Sequence, residues 1–262
     1  MSWKRQQQGY LWESSQSDRP VRLKVDVDAP FSGVGCQCSV DAASDATQEV
    51  EADRLFAIGG MSWETVADAD WMLRDNDLSM NLPYTQSRPT GAECYWRLPN
   101  PEGSSAIAME FWFSANTRLL DEQIRCWAES VFAATQVQLL HLDGQGCIET
   151  TRELSETAHQ FTTEVSTTGN QVDRERAFLS TLRGSDYHLL IAGYPGDQTQ
   201  VTLDWDGQRV ALQNHLNFGF LEKGVIRRTR LLAAWIPPVA SLTSEVERCL
   251  QEFYTSPLPL TV

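Results

Sequence analysis

The sequence predicts an α+β fold, in which antiparallel sheets are each closed by a C-terminal amphipathic helix. Three observations favour this class. Short alternating runs follow one another without helices between them, tight-turn signals separate these runs, and two stretches have the apolar spacing of an amphipathic helix. Strands that come in runs, and do not alternate one-for-one with helices, are typical of α+β proteins.

An apparent internal repeat is the basis of the predicted division into units. Aligning Trp112 with Trp235 gives six identities in eighteen ungapped positions. The other identities pair Leu119 with Leu242, Glu122 with Glu245, Arg125 with Arg248, Cys126 with Cys249 and Glu129 with Glu252. A tandem duplication would produce such a match, and an accidental similarity is the alternative. The sequence therefore predicts two units, residues 1–135 with a polar N-terminal arm and residues 136–262 with a short extended tail.

The first unit is predicted to consist of strands followed by a helix. Residues 21–27 alternate apolar and charged side chains, which indicates a strand with one buried face. Further strands are predicted at 34–40, 93–98 and 105–113. A helix over 117–134 closes the unit, because Leu119 and Cys126 share one helical face while charged residues project from the other side.

The second unit is predicted to be an antiparallel meander plus a helix. Its strands are placed at 187–192, 200–205, 208–213, 215–221 and 225–236. Asp206-Gly207 is the strongest hairpin signal in the chain, because an Asp-Gly pair suits a type I′ turn. A closing helix is predicted at 240–254. An additional helix is predicted at 173–182, after a linker-like stretch at 149–172.

Composition limits the classes of function. The 262 residues are 42% hydrophobic and 10% aromatic, so a packed core is expected and disorder is not. The formal net charge of −14 repels nucleic acid and anionic lipid and suits a basic protein partner. No run approaches the ~18 apolar residues that span a membrane, and no secretory signal is recognisable, so we expect a cytoplasmic protein. The six cysteines are scattered and are expected to be reduced thiols.

Motif searches give no support for a cofactor or a metal site. The chain has no dinucleotide-binding Gly-x-Gly-x-x-Gly, no phosphate-binding loop and no Gly-x-Ser-x-Gly nucleophile elbow. Cys36 and Cys38 are too close together for a zinc knuckle, and no two of the four histidines lie within four residues. We therefore expect no catalytic residue, no cofactor and no metal.

One group of polar residues offers an alternative to the expected absence of catalytic residues. Asp186 and His188 share a face of one predicted strand, and His215 lies on another. Neighbouring strands would assemble an acid–base pair, whereas separate strands would leave ordinary half-exposed histidines. Arg228 and Arg230 point the same way from a third strand and suit either a bound anion or an internal salt bridge.

The first hypothesis from these observations is a non-catalytic protein-binding module. Such a module would be an adaptor, a chaperone or an immunity-like inhibitor. It is motivated by the missing catalytic motifs, the acidic charge and the apparent repeat. The second hypothesis is a small-substrate hydrolase or transferase that uses Asp186, His188 and His215. A structural assembly subunit that forms a homo-oligomer is the third.

Overall fold

Two antiparallel β-sheets packed face to face form most of the structure. The computed structural model describes residues 2–14, 20–38, 53–61, 66–99, 104–120, 122–143, 145–154, 161–164 and 175–257. Within these residues it contains nineteen strands and one α-helix, together with a short 3₁₀ turn. The predicted 149–172 linker and the predicted helix at 173–182 lie partly outside the described residues.

The strands are numbered in chain order. The first ten are β1 Lys4–Gln6, β2 Gly9–Glu13, β3 Val21–Asp26, β4 Val34–Cys38, β5 Asp53–Gly59, β6 Asp70–Arg74, β7 Asp77–Leu82, β8 Thr90–Arg97, β9 Ile107–Thr117 and β10 Glu122–Gln123. The others are β11 Trp127–Leu142, β12 Ile148–Glu153, β13 Phe161–Glu164, β14 Glu175–Leu182, β15 His188–Gly193, β16 Gln198–Trp205, β17 Arg209–Leu216, β18 Phe220–Leu221 and β19 Ile226–Ile236. The helix α1 is Leu242–Thr255.

The strands pair into two sheets that share one long strand. The front sheet has the order β1-β2-β3-β4-β5-β11-β17-β16-β13. The back sheet has the order β6-β7-β8-β9-β19-β15-β14-β11-β12. The first half of β11 pairs in the front sheet and its second half pairs in the back sheet. A small ribbon of β10 and β18 lies beside them.

The main hydrophobic core lies between the two sheets, because alternate residues of each strand point inward. Strand β17 shows this directly, since buried and half-buried residues alternate along its whole length. Among the largest buried side chains are Phe111 and Trp96, whose rings are 5.8 Å apart, and Trp235, which is 0% exposed. Aromatic pairs of this kind stabilise a core beyond the area that they bury.

The predicted α+β class is wrong, because the described part of the chain is almost entirely antiparallel β. The stretch predicted as a helix at 117–134 ends β9 and forms β10 and the first half of β11. The described part of 173–182 is strand β14. The helix predicted near 240–254 is confirmed as α1. The Asp206-Gly207 hairpin is also confirmed, since it joins the paired strands β16 and β17.

The two copies of the apparent repeat have different surroundings. Within the described residues, the second copy contains a helix and the first does not. Trp235 lies in the core between the sheets, whereas Trp112 lies on the outer face of the back sheet, where the guanidinium of Arg97 is 4.8 Å from its ring. Residue 135 lies inside β11, and β9 is hydrogen bonded to β19. The division into units 1–135 and 136–262 stays a prediction.

A second, smaller core forms between α1 and the outer face of the back sheet. The buried face of α1 packs on this sheet through Val246, Leu250 and Phe253, against residues such as Leu232 and Ile236. None of the helices in the described residues is both long and apolar enough to cross a membrane. The helix packs on the outer face of the back sheet. Its apolar residues recur with the helical period of 3.6, and this spacing had predicted a helix with one apolar face.

The charged ladder predicted on α1 is confirmed. Arg248 Nη1 lies 2.8 Å from Glu252 Oε1, and Arg248 Nη2 pairs with Glu245. Glu245 accepts hydrogen bonds from the backbone N–H groups of Ser105 and Ala106, at 3.2 and 3.1 Å. Because its carboxylate joins the first turn of the helix to the loop before β9, Glu245 fixes where the helix begins on the sheet.

Strand β5 contains a β-bulge where it pairs with β11. Ala57 lies opposite Glu129 and Arg54 lies opposite Val131, so β5 has one residue more than β11 between the two pairs. A bulge bends the strand and changes the direction of the side chains that follow it. Here it brings the side chain of Arg54 toward Glu129 on the front face.

Phe56 occupies this bulge with a backbone φ of 59°, a value that bulky residues rarely adopt. Three contacts hold it there. Its N–H donates to Ser130 Oγ at 3.2 Å, its ring stacks on Phe111 with centroids 5.5 Å apart, and the side chain is 1% exposed. The packing of Phe56 thus maintains a strained backbone.

Asp197 is a half-buried carboxyl just before β16 that should make stability depend on pH. Its Oδ2 accepts the backbone N–H of Arg230 at 2.8 Å. Burial raises the pKa of Asp197 from 3.8 to about 6, although the charge of Arg230 opposes this shift. The folded state therefore binds the proton more tightly than the unfolded state. The resulting contribution to stability is complete below the unfolded pKa and is lost as pH rises through about 6.

Replacing Asp197 with asparagine should remove this dependence. We expect the variant to match the wild type below a pH of about 4 and to be more stable by about 2 kcal/mol at pH 8. Urea unfolding across this range would measure the difference. Asp206→Asn is a control in which the change of stability with pH should have the opposite sign, because hydrogen bonds from Arg209 and Gln208 lower the pKa of Asp206. A constant difference between wild type and Asp197→Asn at all pH values would contradict the prediction.

Candidate functional site

The polar residues singled out in the sequence do not converge. His188 lies on the outer face of the back sheet and His215 on the outer face of the front sheet, with the core between them. His188 Nδ1 lies 3.3 Å from Thr181 Oγ1, and Asp186 is exposed just before β15. The acid–base pair predicted from Asp186, His188 and His215 is therefore not formed.

The two arginines of β19 are engaged within the protein. Both project from the same face of β19, as predicted, and this is the outer face of the back sheet. Arg228 Nη2 lies 3.7 Å from Glu93 Oε2, and its Nε donates to Ser114. The guanidinium of Arg230 lies 3.2 Å from the centre of the Tyr194 ring. The internal salt bridge, one of the two alternatives for this pair, is confirmed for Arg228.

His215 instead lines a pocket of 440 Å³ on the front face, where β11 begins and β17 ends. Trp127 at the start of β11 and Arg125 just before it line the pocket, together with Thr199 of β16 and Asn217 just after β17. Gln123 of β10 lines one side. This volume lies within the range of about 300–1,000 Å³ that is usual for small-molecule sites.

Trp127 forms the aromatic wall of this pocket. It lies directly opposite His215 on β17 and opposite Gly59 on β5, so its ring occupies the space between the two neighbouring strands. The Trp127 and His215 rings are 5.9 Å apart at an angle of 44°. A Cβ on Gly59 would lie 2.5 Å from Trp127 Cε2. The ring therefore needs glycine at position 59 in order to lie flat on β5.

A polar row continues from the pocket along the front face. Glu129 follows Trp127 by two residues on β11, and Gln213 precedes His215 by two residues on β17, so all four side chains point to the same side. Gln213 Nε2 donates to Glu129 Oε1 at 2.9 Å, and Arg54 Nη2 lies 3.2 Å from Glu129 Oε2. The carboxylate of Glu129 is thus held in place by an amide and a guanidinium.

His215 is the basic group that lines this pocket, and its pKa is displaced. Partial burial lowers the pKa of His215 from its usual value of 6.5. Its imidazole is therefore neutral near pH 7 and can accept a proton. The carboxylate of Glu129 is held by Arg54 and Gln213 and not by His215. A neutral imidazole that lines a pocket is suited to act as a general base.

The seating of Trp127 on β5 can be tested directly. Replacing Gly59 with alanine should move the Trp127 ring and weaken binding of a pocket ligand by about tenfold, which corresponds to one stacking contact. Isothermal titration with the best ligand of the wild type would measure the loss. Gly35→Ala on β4 is a matched control, because a Cβ there would have its nearest contact at 3.8 Å. An equal effect of both replacements would contradict the proposed seating.

The sequence identified His215 but missed Trp127, Gly59 and Arg54. The helical spacing of apolar residues over 117–134 concealed the alternation at 127–134, where every second residue is buried. That alternation is the signal that could have revealed β11. The pairing of Gly59 with Trp127 joins residues far apart in the chain, and no local pattern predicts it.

Comparison with known proteins supports the fold. No protein-family model matches the sequence, and no curated protein matches it. A galactose mutarotase related enzyme from Lactobacillus acidophilus matches in structure with a TM-score of 0.51 and 7% identity, over 88% of this chain and 99% of that chain. A GH36 alpha-galactosidase from Geobacillus stearothermophilus matches with a TM-score of 0.50 and 8% identity. This match covers 90% of the present chain and 41% of the galactosidase. The chain shares their fold.

This fold corrects the function predicted from the sequence. The hypothesis of a non-catalytic protein-binding module was motivated by the missing catalytic motifs, the acidic charge and the apparent repeat, and it is not supported by the fold of the described residues. The fold of this chain is instead shared with a galactose mutarotase related enzyme and a GH36 alpha-galactosidase. The hydrolase or transferase built on Asp186, His188 and His215 is also excluded, because these residues lie on opposite faces of the sandwich.

Proposed function

We propose that the protein binds an aldose in the front-face pocket and catalyses the interconversion of its two anomers. The observation that carries the proposal is the register pair of Trp127 and His215 at this pocket. It places an aromatic surface beside a neutral base. The fold shared with a galactose mutarotase related enzyme supports a sugar as the ligand.

The pocket has the groups that a sugar ring requires. The C–H face of a hexose packs on aromatic rings, and Trp127 offers such a ring beside the opening. Hydroxyl groups of the sugar both donate and accept hydrogen bonds. Arg125, Thr199 and Asn217 offer complementary groups on the other walls. A monosaccharide is therefore held by stacking on one side and by polar contacts on the others.

The chemistry needs only proton transfers. The neutral imidazole of His215 takes the proton of the C1 hydroxyl, and the bond between C1 and the ring oxygen breaks with its electron pair on that oxygen. The imidazolium returns the proton to the ring oxygen, which gives the open-chain aldehyde. Rotation about the bond between C1 and C2, followed by the reverse steps, forms the other anomer.

Polarimetry of freshly dissolved α-D-galactose and α-D-glucose tests the proposal. We expect the protein to accelerate the change in optical rotation above the buffer rate, with saturation in sugar concentration. Isothermal titration with the equilibrated sugars separates binding from catalysis. Binding without acceleration would overturn the catalytic assignment, and the absence of both would overturn the proposal as a whole.

A cytoplasmic location is a second part of the proposal. All six cysteines are free thiols, and most of them are buried. Burial raises the pKa of the Cys126 and Cys249 thiols to about 12, so both stay protonated and unreactive. Unpaired cysteines in these numbers are typical of proteins kept in a reducing compartment. Fractionation of the native cells would test this location.

A further inference from the structure

The front-face pocket has a basic side. Arg125, just before β11, is one of the residues that line it. Arg227 follows Arg228 and Arg230 in the opposite sense along β19, because neighbouring residues of an extended strand point to opposite faces. A Cβ on Gly219, which also lines the pocket, would lie 3.4 Å from Arg227 Nη1. Two guanidinium groups therefore lie beside the same pocket.

Neither of these arginines has an acidic partner among the described residues. Arg125 Nη2 donates to the uncharged amide oxygen of Gln123 at 3.2 Å, and Arg227 is exposed. Other arginines of the described chain do pair with a carboxylate, namely Arg22, Arg54, Arg97, Arg228 and Arg248. The charges of Arg125 and Arg227 are thus available to a ligand.

The acidic groups of this region are directed elsewhere. Glu122 of β10 accepts a hydrogen bond from Thr90 Oγ1 at 2.9 Å and another from Thr117 Oγ1. Glu129 is held by a guanidinium and an amide, and Glu222 lies in the exposed turn before β19. Among the described residues that line the pocket, none is an aspartate or a glutamate. The chain as a whole has 35 acidic residues and 21 basic ones, so the lining differs in charge from the rest of the protein.

This lining favours an anionic ligand. A guanidinium can bind a carboxylate or a phosphate through two parallel N–H···O bonds, which are stronger than bonds to a neutral hydroxyl. Ile124 and Leu216 add apolar surface to the same pocket. Opposite charges attract more strongly beside apolar surface than in bulk water. An anionic group on the ligand would therefore increase its affinity.

We propose that the pocket selects an aldose that carries a phosphate or a carboxylate on a carbon other than C1. This proposal rests on the anomer interconversion proposed above and names the class of aldose. Arg125 and Arg227 bind the anionic group, while Trp127 and His215 hold the ring and act at C1. The C1 hydroxyl has to be free, because His215 takes its proton. The substrate is thus a sugar phosphate esterified away from C1, or a uronic acid.

NMR saturation transfer between the α and β anomeric protons tests this class with equilibrated D-galactose, D-galactose 6-phosphate and D-galacturonic acid. We expect kcat/KM to be higher by about tenfold or more for an anionic sugar than for galactose, as one charge-assisted hydrogen bond implies. The better of the two anionic sugars identifies phosphate or carboxylate as the group that is recognised.

Replacing Arg125 or Arg227 with glutamine should reduce this preference. We expect each variant to lower the ratio of kcat/KM for the better anionic sugar to kcat/KM for galactose by about tenfold, because glutamine keeps hydrogen-bonding groups but no charge. Arg74→Gln is the matched control, since it removes the same charge from an exposed position on β6 of the back sheet. It should leave the ratio unchanged. Circular dichroism establishes that each variant is folded.

The outcomes separate this proposal from the proposed function. Equal kcat/KM for galactose and both anionic sugars would overturn the anionic class and leave the anomer interconversion in place. Calorimetric binding of an anionic sugar, tighter than galactose but without anomer exchange, would overturn the reaction and support the anionic class. An unchanged ratio in both arginine variants would overturn the role of the two guanidinium groups. Inorganic phosphate that bound as tightly as galactose 6-phosphate would show that the sugar is not recognised, which would overturn both proposals.

Discussion

Replacing His215 with asparagine is expected to lower kcat/KM for anomer interconversion by about 100-fold or more, the range usual for loss of a general base. The variant keeps a polar side chain opposite Trp127 but has no group that accepts a proton near pH 7. In the wild type, kcat/KM should fall as pH decreases through the pKa of His215, which lies below 6.5. Polarimetry across pH 5 to 8 measures both effects.

The chain supplies a matched control for this prediction. His188 has the same side chain and a pKa that is also lowered by burial, but it lies on the opposite outer face. His188→Asn should therefore leave kcat/KM and its pH dependence unchanged. If His215→Asn retained wild-type activity, or if both variants lost activity equally, His215 would not be the base.

Replacing Phe56 with alanine is expected to destabilise the protein by about 3–5 kcal/mol, as is usual for a buried phenylalanine. Phe56→Gly should be less harmful than Phe56→Ala. In an ordinary strand glycine is worse than alanine by roughly 0.5–1 kcal/mol. At a φ of 59° the preference reverses, because alanine keeps the strain that glycine relieves. Urea unfolding of the two variants measures the order.

Phe111 is the control for this reversal. It stacks on Phe56 and is equally buried, but it lies in regular strand β9 and its φ is not positive. Phe111→Gly should be less stable than Phe111→Ala. If glycine were the worse replacement at both positions, the strain assigned to the bulge would not exist.

Local pattern was sufficient for some elements of this fold. The alternation at 21–27 predicted β3, and the Asp-Gly pair predicted the hairpin of β16 and β17. The apolar stripe and charged ladder at the C-terminus predicted α1. In each of these segments the local periodicity of the residues and the tertiary structure favour the same conformation.

The failures occur where distant pairing decides the structure. The 127–134 stretch carries apolar residues at both helical and strand spacing, and pairing with β5 and β17 selects the strand. The candidate site depends on the same pairing, because Trp127, Gly59 and His215 come from three separate strands. His215 could be identified from its residue type, but its neighbours could not, since sequence does not reveal the sheet order.

The pairing of β9 with β19 has a consequence for synthesis of the protein. Strand β9 is buried along almost its whole length, and it needs β19 as its neighbour in the back sheet. On the ribosome β9 emerges on the order of 100 residues before β19, a delay of about 5–20 s at typical translation rates. During this interval the nascent chain exposes the apolar edge formed by β9. We expect chaperones that bind extended hydrophobic segments to bind it there.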